Sequence, residues 1–328
     1  MEYFIDYLLF FSKFVSVVVT IAIVIIAAVI IIMRTKSAHE GHIEIRNLNH
    51  KFEEMGLLMK SQVLGKKELK QAIKLLKSEH KEKEKQSDKT DDRNNIFVLN
   101  FKGDIKASEV ESLREEITSI LTVAKTSDEV VLVLESAGGT VHGYGLAASQ
   151  LKRICDRGIS LTVAVDKVAA SGGYMMACVA NKIVAAPFAI IGSVGVLAQL
   201  PNFHRLMKKY DIDYEQLSAG EYKRTLTLFG KNDDKDREKF QEELEDTHEL
   251  FKEFIKDNRK QIDIEKIATG EHWYGKRALE LQLVDELITS DDYLYTAATD
   301  ANIYEITQIR KKAVSEKLFS LGMKLFDY

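Results

Sequence analysis

Ser171 stands in the run Ala169-Ala170-Ser171-Gly172-Gly173-Tyr174, shortly after the apolar stretch from Ile159 to Val165. A strand that ends in a Ser-Gly-Gly turn and reopens as a helix exposes a hydroxyl and lets a substrate backbone come close. The start of the following helix offers N–H groups and a partial positive charge to an oxyanion. This is the equipment of a nucleophilic serine, which still needs a base to take its proton. Two bases are in view. His142 is the histidine beside a second glycine motif, Gly138-Gly139, but no carboxylate is placed to orient it, and none of the eight histidines falls between Ser171 and His204. A Ser-His-Asp triad therefore stays open without support. Lys223, in Gly220-Glu221-Tyr222-Lys223-Arg224, follows the strand-like Tyr214-Glu215-Gln216-Leu217. With 46 lysines and arginines in the chain, composition does not single it out.

The elements that must position these residues alternate in type. Ile96–Phe101 and Val130–Leu134 read as strands, Val110–Val123 and Tyr144–Ile154 as helices, then 159–165 as a strand, Ala169–Ala180 as a helix and Lys182–Ala186 as a strand. Such alternation predicts an α/β fold with a mostly parallel sheet covered by helices. Ligands in these folds sit past the carboxyl ends of the strands, where Gly138-Gly139 and Ser171 both fall. After Pro201 the chain is more helical. Asp233–Lys260 is an amphipathic helix whose stripe of Phe240, Leu244, Phe251, Phe254 and Ile255 reads as core or subunit contact.

At 328 residues and 45% hydrophobic composition the chain can build a sizeable core. Its net charge of -4 gives no whole-chain case for a nucleic-acid partner. Two cysteines, Cys155 and Cys178, are too few for a disulfide scaffold. No histidine stands in metal-ligand spacing, so no metal or other cofactor is expected.

The N-terminus has a different texture. From Phe14 to Met33 no charged residue occurs over 20 positions, enough to span a bilayer core of roughly 30 Å as a helix. The preceding residues are not basic and no cleavage site follows, so residues 1–36 read as a retained single-pass anchor. Arg34 and Lys36 follow it and by the positive-inside rule would put the body of the protein in the cytoplasm. Residues 37–95 read as a charged helical extension and linker, with an amphipathic helix at Lys66–Leu76 and a solvated run from Lys81 to Asn95. Residues 291–328 read as a helical tail. Its segment Arg310–Phe326 is basic and amphipathic, suited to anionic lipid or to a partner subunit.

Five ordered segments carry a resemblance: ESAGGTV at 135–141, VAASGGYMMA at 168–177, IGSVGV at 191–196, AGEYKRTLT at 219–227 and GEHWYGKRALELQLVDEL at 270–287. The chain resembles the signal-peptide-peptidase-A family of membrane serine peptidases, most closely its SohB branch. The resemblance spans 96 to about 290 and implies a crotonase/ClpP-like peptidase domain over 96–290. It also implies a Ser-Lys dyad, with Ser171 as nucleophile, Lys223 as general base and Ser193 orienting the lysine. The oxyanion hole would be the N–H groups of Gly139 and Gly172, with Gly138 shaping the loop. Where the family commonly reads Asn-Ser-Pro-Gly-Gly, this chain has Glu135-Ser136-Ala137-Gly138-Gly139. Losing the proline makes the loop less rigid but keeps its glycines.

A lysine is ordinarily charged at neutral pH and must be desolvated to act as a base. The apolar residues around Ser193 (Ile190, Ile191, Val194, Val196, Leu197) are suited to that. The family implies a homo-oligomer in which serine and lysine can come from neighbouring subunits, and a catalytic domain in the periplasm. The expected substrates are polypeptides with hydrophobic side chains at the cut, such as signal-peptide remnants or membrane-protein fragments. Three other readings compete. An acyl-CoA-binding crotonase leaves Ser171, Lys223 and the anchor without roles. A caseinolytic-protease triad needs a histidine about two dozen positions after the serine, and there is none. A catalytically inactive membrane scaffold on the same fold would have lost a dyad partner, yet both are present.

Overall fold

The computed structural model of the chain describes residues 11–13, 15–16, 18–21, 23, 41–71, 73–75, 78 and 93–309. It separates into two compact units, residues 45–307 and residues 1–44 with 308–328. Most of the uncharged run 14–33 and all of Arg310–Phe326 lie outside the described residues. Residues 15–16, 18–21 and 23 are helical, but among the described residues no helix is long and apolar enough to cross a membrane.

In chain order the elements are β1 (His42–Asn47), α1 (Leu48–Val63), β2 (Asn95–Gly103), α2 (Val110–Leu121), β3 (Glu129–Ser136), α3 (Val141–Cys155), β4 (Ser160–Val165), β5 (Val168–Ala170), α4 (Gly172–Ala177), β6 (Lys182–Ala185) and β7 (Ile190–Gly192). Then follow α5 (His204–Lys209), α6 (Asp234–Asn258), α7 (Ile264–Ile267), β8 (His272–Tyr274), α8 (Gly275–Glu280), β9 (Glu286–Leu287), α9 (Ser290–Ala297) and β10 (Asn302–Ile309). The strands form one sheet in the order β1-β10-β2-β3-β4-β6-β9, parallel from β10 through to β9.

The central strands are apolar on both sides because both faces are covered. On one face Ile96, Val98, Val131, Ala164, Val184 and Ile303 pack with Leu48 of α1 and Leu294 of α9. Alternate residues such as Phe101, Leu132 and Leu134 point the other way, where α2, α3 and α4 pack and Phe101 meets Tyr144 edge-on at 6.4 Å.

A branch at the carboxyl end of β3 creates the place for a site. Residues Glu129–Val133 of β3 pair with β4, but Ser136 pairs with Ala169 of β5. Strand β5 pairs in parallel with β7, and β7 pairs antiparallel with β8. Helix α6, which packs against α4, opens on a capping box between Asp233 and Asp236 and ends at Arg259. The Arg259 side chain is 3% exposed and binds both carboxylate oxygens of Asp285 at 2.8 and 2.9 Å. Burial pushes the Asp285 carboxyl up, but hydrogen bonds from Arg259 and from the Ile183 N–H outweigh that and hold it below its usual range.

Three sequence expectations change. The helix foreseen from Ala169 starts only at Gly172, because Val168–Ala170 is a strand. Tyr214–Leu217 is not a strand, and Leu217 is exposed. The segment read as a helical tail carries β10, whose Ile303 and Ile306 are buried.

Candidate active site

Ser171 follows the last residue of β5 and precedes α4. It takes φ 51° and ψ -119°, a left-handed conformation costly for any residue but glycine. Two backbone bonds hold it: its N–H donates to the carbonyl of Gly192 at 2.7 Å, and its carbonyl accepts from the Met175 N–H at 2.9 Å. Ser193 repeats the pattern one strand away. Ala170 is paired with Gly192, so Ser171 and Ser193 each stand one residue beyond that pair, on neighbouring strands about 5 Å apart. Ser193 also has positive φ, 52°. Its N–H donates to the Glu271 carbonyl at 2.7 Å, and the Gly270 N–H donates to the Val194 carbonyl at 3.0 Å.

The glycine loop closes over Ser171. Gly138 has φ 91°, and a Cβ there would stand 2.8 Å from each of Ala170 O, Gly172 N and Ser171 Cβ. A Cβ on Gly139 would collide with the backbone of Ile105, whose carbonyl takes the Thr140 N–H at 2.8 Å. Among the described residues, no acceptor meets the N–H of Gly139 or of Gly172. The loop therefore brings unpaired N–H donors to the surroundings of a strained serine, the provision that oxyanion stabilisation requires.

A brace behind the loop was not foreseen. The Gly138 N–H donates to Ser136 Oγ at 3.0 Å, and the Tyr144 hydroxyl donates to the Asp104 carbonyl at 2.8 Å. With that proton committed, the 2.5 Å bond between the two hydroxyls must run from Ser136 to Tyr144. Burial pushes the Tyr144 phenol up, which keeps it a proton donor. The same ring lies against α4, for a Cβ on Gly172 would run into it. Tyr144 thus touches both halves of the arrangement. Nothing in its position in the sequence, three residues into a helix, marks it.

The structure brings together Ser171, Ser193, Gly138, Gly139 and Gly172. It does not bring Lys223 to them. Lys223 is exposed and lines an open cavity of about 790 Å³ with residues that include Leu200, Tyr214, Leu217 and Phe229; no residue of the glycine loop, α4 or β7 lines it. The expected apolar cover is absent in one chain: Ile191 and Val194 are buried in the core, while Leu197 is 79% exposed. His142 is exposed at the start of α3. Among the described residues no cluster of side chains could hold a metal ion.

Two family models match the chain, "Peptidase family S49 N-terminal" over residues 2–151 and "Peptidase family S49" over residues 153–304. A "Probable protease SohB" of Haemophilus influenzae is 49% identical over 324 residues, covering 95% of this chain and 92% of the relative. A "Putative protease SohB" of Buchnera aphidicola subsp. Baizongia pistaciae is 42% identical over 343 residues, covering 100% and 97%. Among solved structures, a membrane-bound stomatin-specific protease with a substrate peptide aligns at TM-score 0.43 and 15% identity, covering 70% of this chain and 98% of its own.

Proposed function

The chain belongs to peptidase family S49, and from that premise we propose a membrane-tethered serine endopeptidase with Ser171 as nucleophile and Lys223 as general base. As a peptidase it acts on polypeptides. The observation that carries the choice of nucleophile is the positive φ of Ser171 with Gly138 packed against it and the Gly139 and Gly172 N–H groups unpaired. In the proposed reaction Lys223 Nζ takes the Ser171 proton as Oγ attacks the scissile carbonyl. The oxyanion accepts from Gly139 and Gly172, and Ser193 orients the lysine. Lys223 then returns the proton to the leaving amine, and water, deprotonated by the same lysine, hydrolyses the acyl-enzyme.

In this reading the base comes from a neighbouring copy. Lys223 is in water in one chain, on a surface where Leu197 and Leu217 are 79% and 96% exposed. An apolar surface of that kind favours a protein partner, and covering it would desolvate the lysine. Residues 1–36 would anchor the chain in the inner membrane, with 37–95 as extension, a crotonase/ClpP-like catalytic domain over 96–290 in the periplasm, and hydrophobic peptides as substrates.

The test is complementation. Ser171→Ala and Lys223→Ala, each folded and of wild-type oligomer size, should both be inactive on a hydrophobic peptide. Mixed in equal amounts and allowed to exchange subunits, they should recover roughly a quarter of wild-type activity, since one interface in four would join an intact serine to an intact lysine. A mixture that stays inactive after exchange would place the dyad within one chain. Full activity in Lys223→Ala would move His142 to the front, and an inert wild type would favour the scaffold.

A further inference from the structure

Helix α1 carries an apolar stripe that is covered at one end and bare at the other. Leu48 is buried in the core and Phe52 packs against it. Beyond them the stripe continues at helical spacing through Met55, Leu58, Met59 and Val63, exposed by 56, 67, 65 and 75%. A second helix follows. The Leu69 N–H donates to the Gly65 carbonyl at 2.9 Å, and residues 66–71 and 73–75 are helical. Its Ile73 and Leu75 are 37% and 63% exposed. Charge accompanies the apolar surface: from Leu58 to Lys77 the chain has six lysines (60, 66, 67, 70, 74, 77) against one acid, Glu68.

We propose that the bare half of α1 and the helical residues 66–71 and 73–75 together dock on an anionic phospholipid surface. Two observations select lipid over a second copy of the chain. The excess of lysine complements phosphate-bearing headgroups, whereas two copies of so basic a segment would repel each other. The bare half of α1 also begins, at Met55, twenty-two residues of chain after Met33, the end of the uncharged run, so the proposal rests on the anchor reading for its proximity to a bilayer. Lysine stems extend over apolar surface while their ammonium groups reach the headgroups.

The test uses the full chain reconstituted in vesicles, with Cys155→Ala and an environment-sensitive fluorophore on Met59→Cys or, as a control on the opposite face, Ser61→Cys. Cys178 is buried and leaves no competing thiol. With brominated phosphatidylglycerol present, the label at 59 should be quenched severalfold more than the label at 61. Pure phosphatidylcholine vesicles should remove the difference. Lys70→Gln or Lys74→Gln, each removing one positive charge, should weaken docking by roughly fivefold each. Equal quenching at 59 and 61, or a signal that fades only when labelled chain is diluted with unlabelled chain, would overturn the proposal, the latter in favour of self-association. Flotation with vesicles at high salt reports the anchor separately, so a failed anchor and a failed docking surface give different results.

Discussion

The branch of β3, β5 and β7 and the segment 197–232 carry the two proposed reacting groups, and they are built in opposite ways. At the branch, Ser171 is held by backbone bonds on both sides, and the brace from Gly138 to Asp104 accounts for every polar proton along it. In 197–232 the regular structure is the six residues of α5. Its ties are local, such as Asn202 Nδ2 donating to the Thr227 and Gly230 carbonyls at 2.9 and 3.0 Å, while its large apolar side chains face outward. The same kind of residue serves as core in one region and as unmet surface in the other. In the proposed reading, the nucleophile is finished by one chain and its base is presented for completion by another.

That contrast can be broken most forcefully at Gly139. Gly139→Ala drives a Cβ into the Ile105 backbone, so we expect kcat to fall about 100-fold or more, with a lower Tm. Unchanged kcat would mean that the loop does not hold the oxyanion. The counterpart in the outer segment is Leu217→Asp. Because Leu217 is 96% exposed, thermal stability of the dilute protein should move by less than about 0.5 kcal/mol. Association, followed by sedimentation, should weaken about thirtyfold, the effect of losing ~2 kcal/mol at an interface, and activity should fall with it. An unaltered oligomer would remove Leu217 from the contact. The smallest effect is expected from Tyr144→Phe, which keeps the ring and cuts the brace. Denaturant unfolding should register about 1–3 kcal/mol from the stranded Ser136 hydroxyl and Asp104 carbonyl, and kcat should drop severalfold with KM nearly constant. A matching rise in KM would point to a role in binding instead.

Much of the parallel sheet was legible because Val130–Leu134 and the stretch around Val163 are strands buried on both faces, which leave continuous apolar runs. Strands β5, β7 and β8 were not, since three residues are too few to establish a period. Strand β10 escaped because Ile303 and Ile306 are too sparse to set it apart from a helix. Ser171 and Gly138-Gly139 could be picked out by type and order. Ser136 and Tyr144 could not, because their role depends on a contact across the branch. Tyr214–Leu217 misled because four residues, with Glu215 and Gln216 between two apolar ends, are too few to tell a strand from irregular chain, and all four are exposed.

The antiparallel pairing of β7 with β8, closed by the Ser193-to-Glu271 and Gly270-to-Val194 bonds, ties the chain together where it leaves the site and where it returns. Of what lies between, α6 and α7 pack back on the core through Phe251, Ile255 and Ile267, and the outer segment 197–232 is the excursion from that base. Lengthening such an excursion costs little, because loop-closure entropy grows only slowly with length. Descendants of this fold could therefore exchange the outer segment, and with it assembly partner and substrate range, as a cassette, while the strained serine at its base is inherited unchanged.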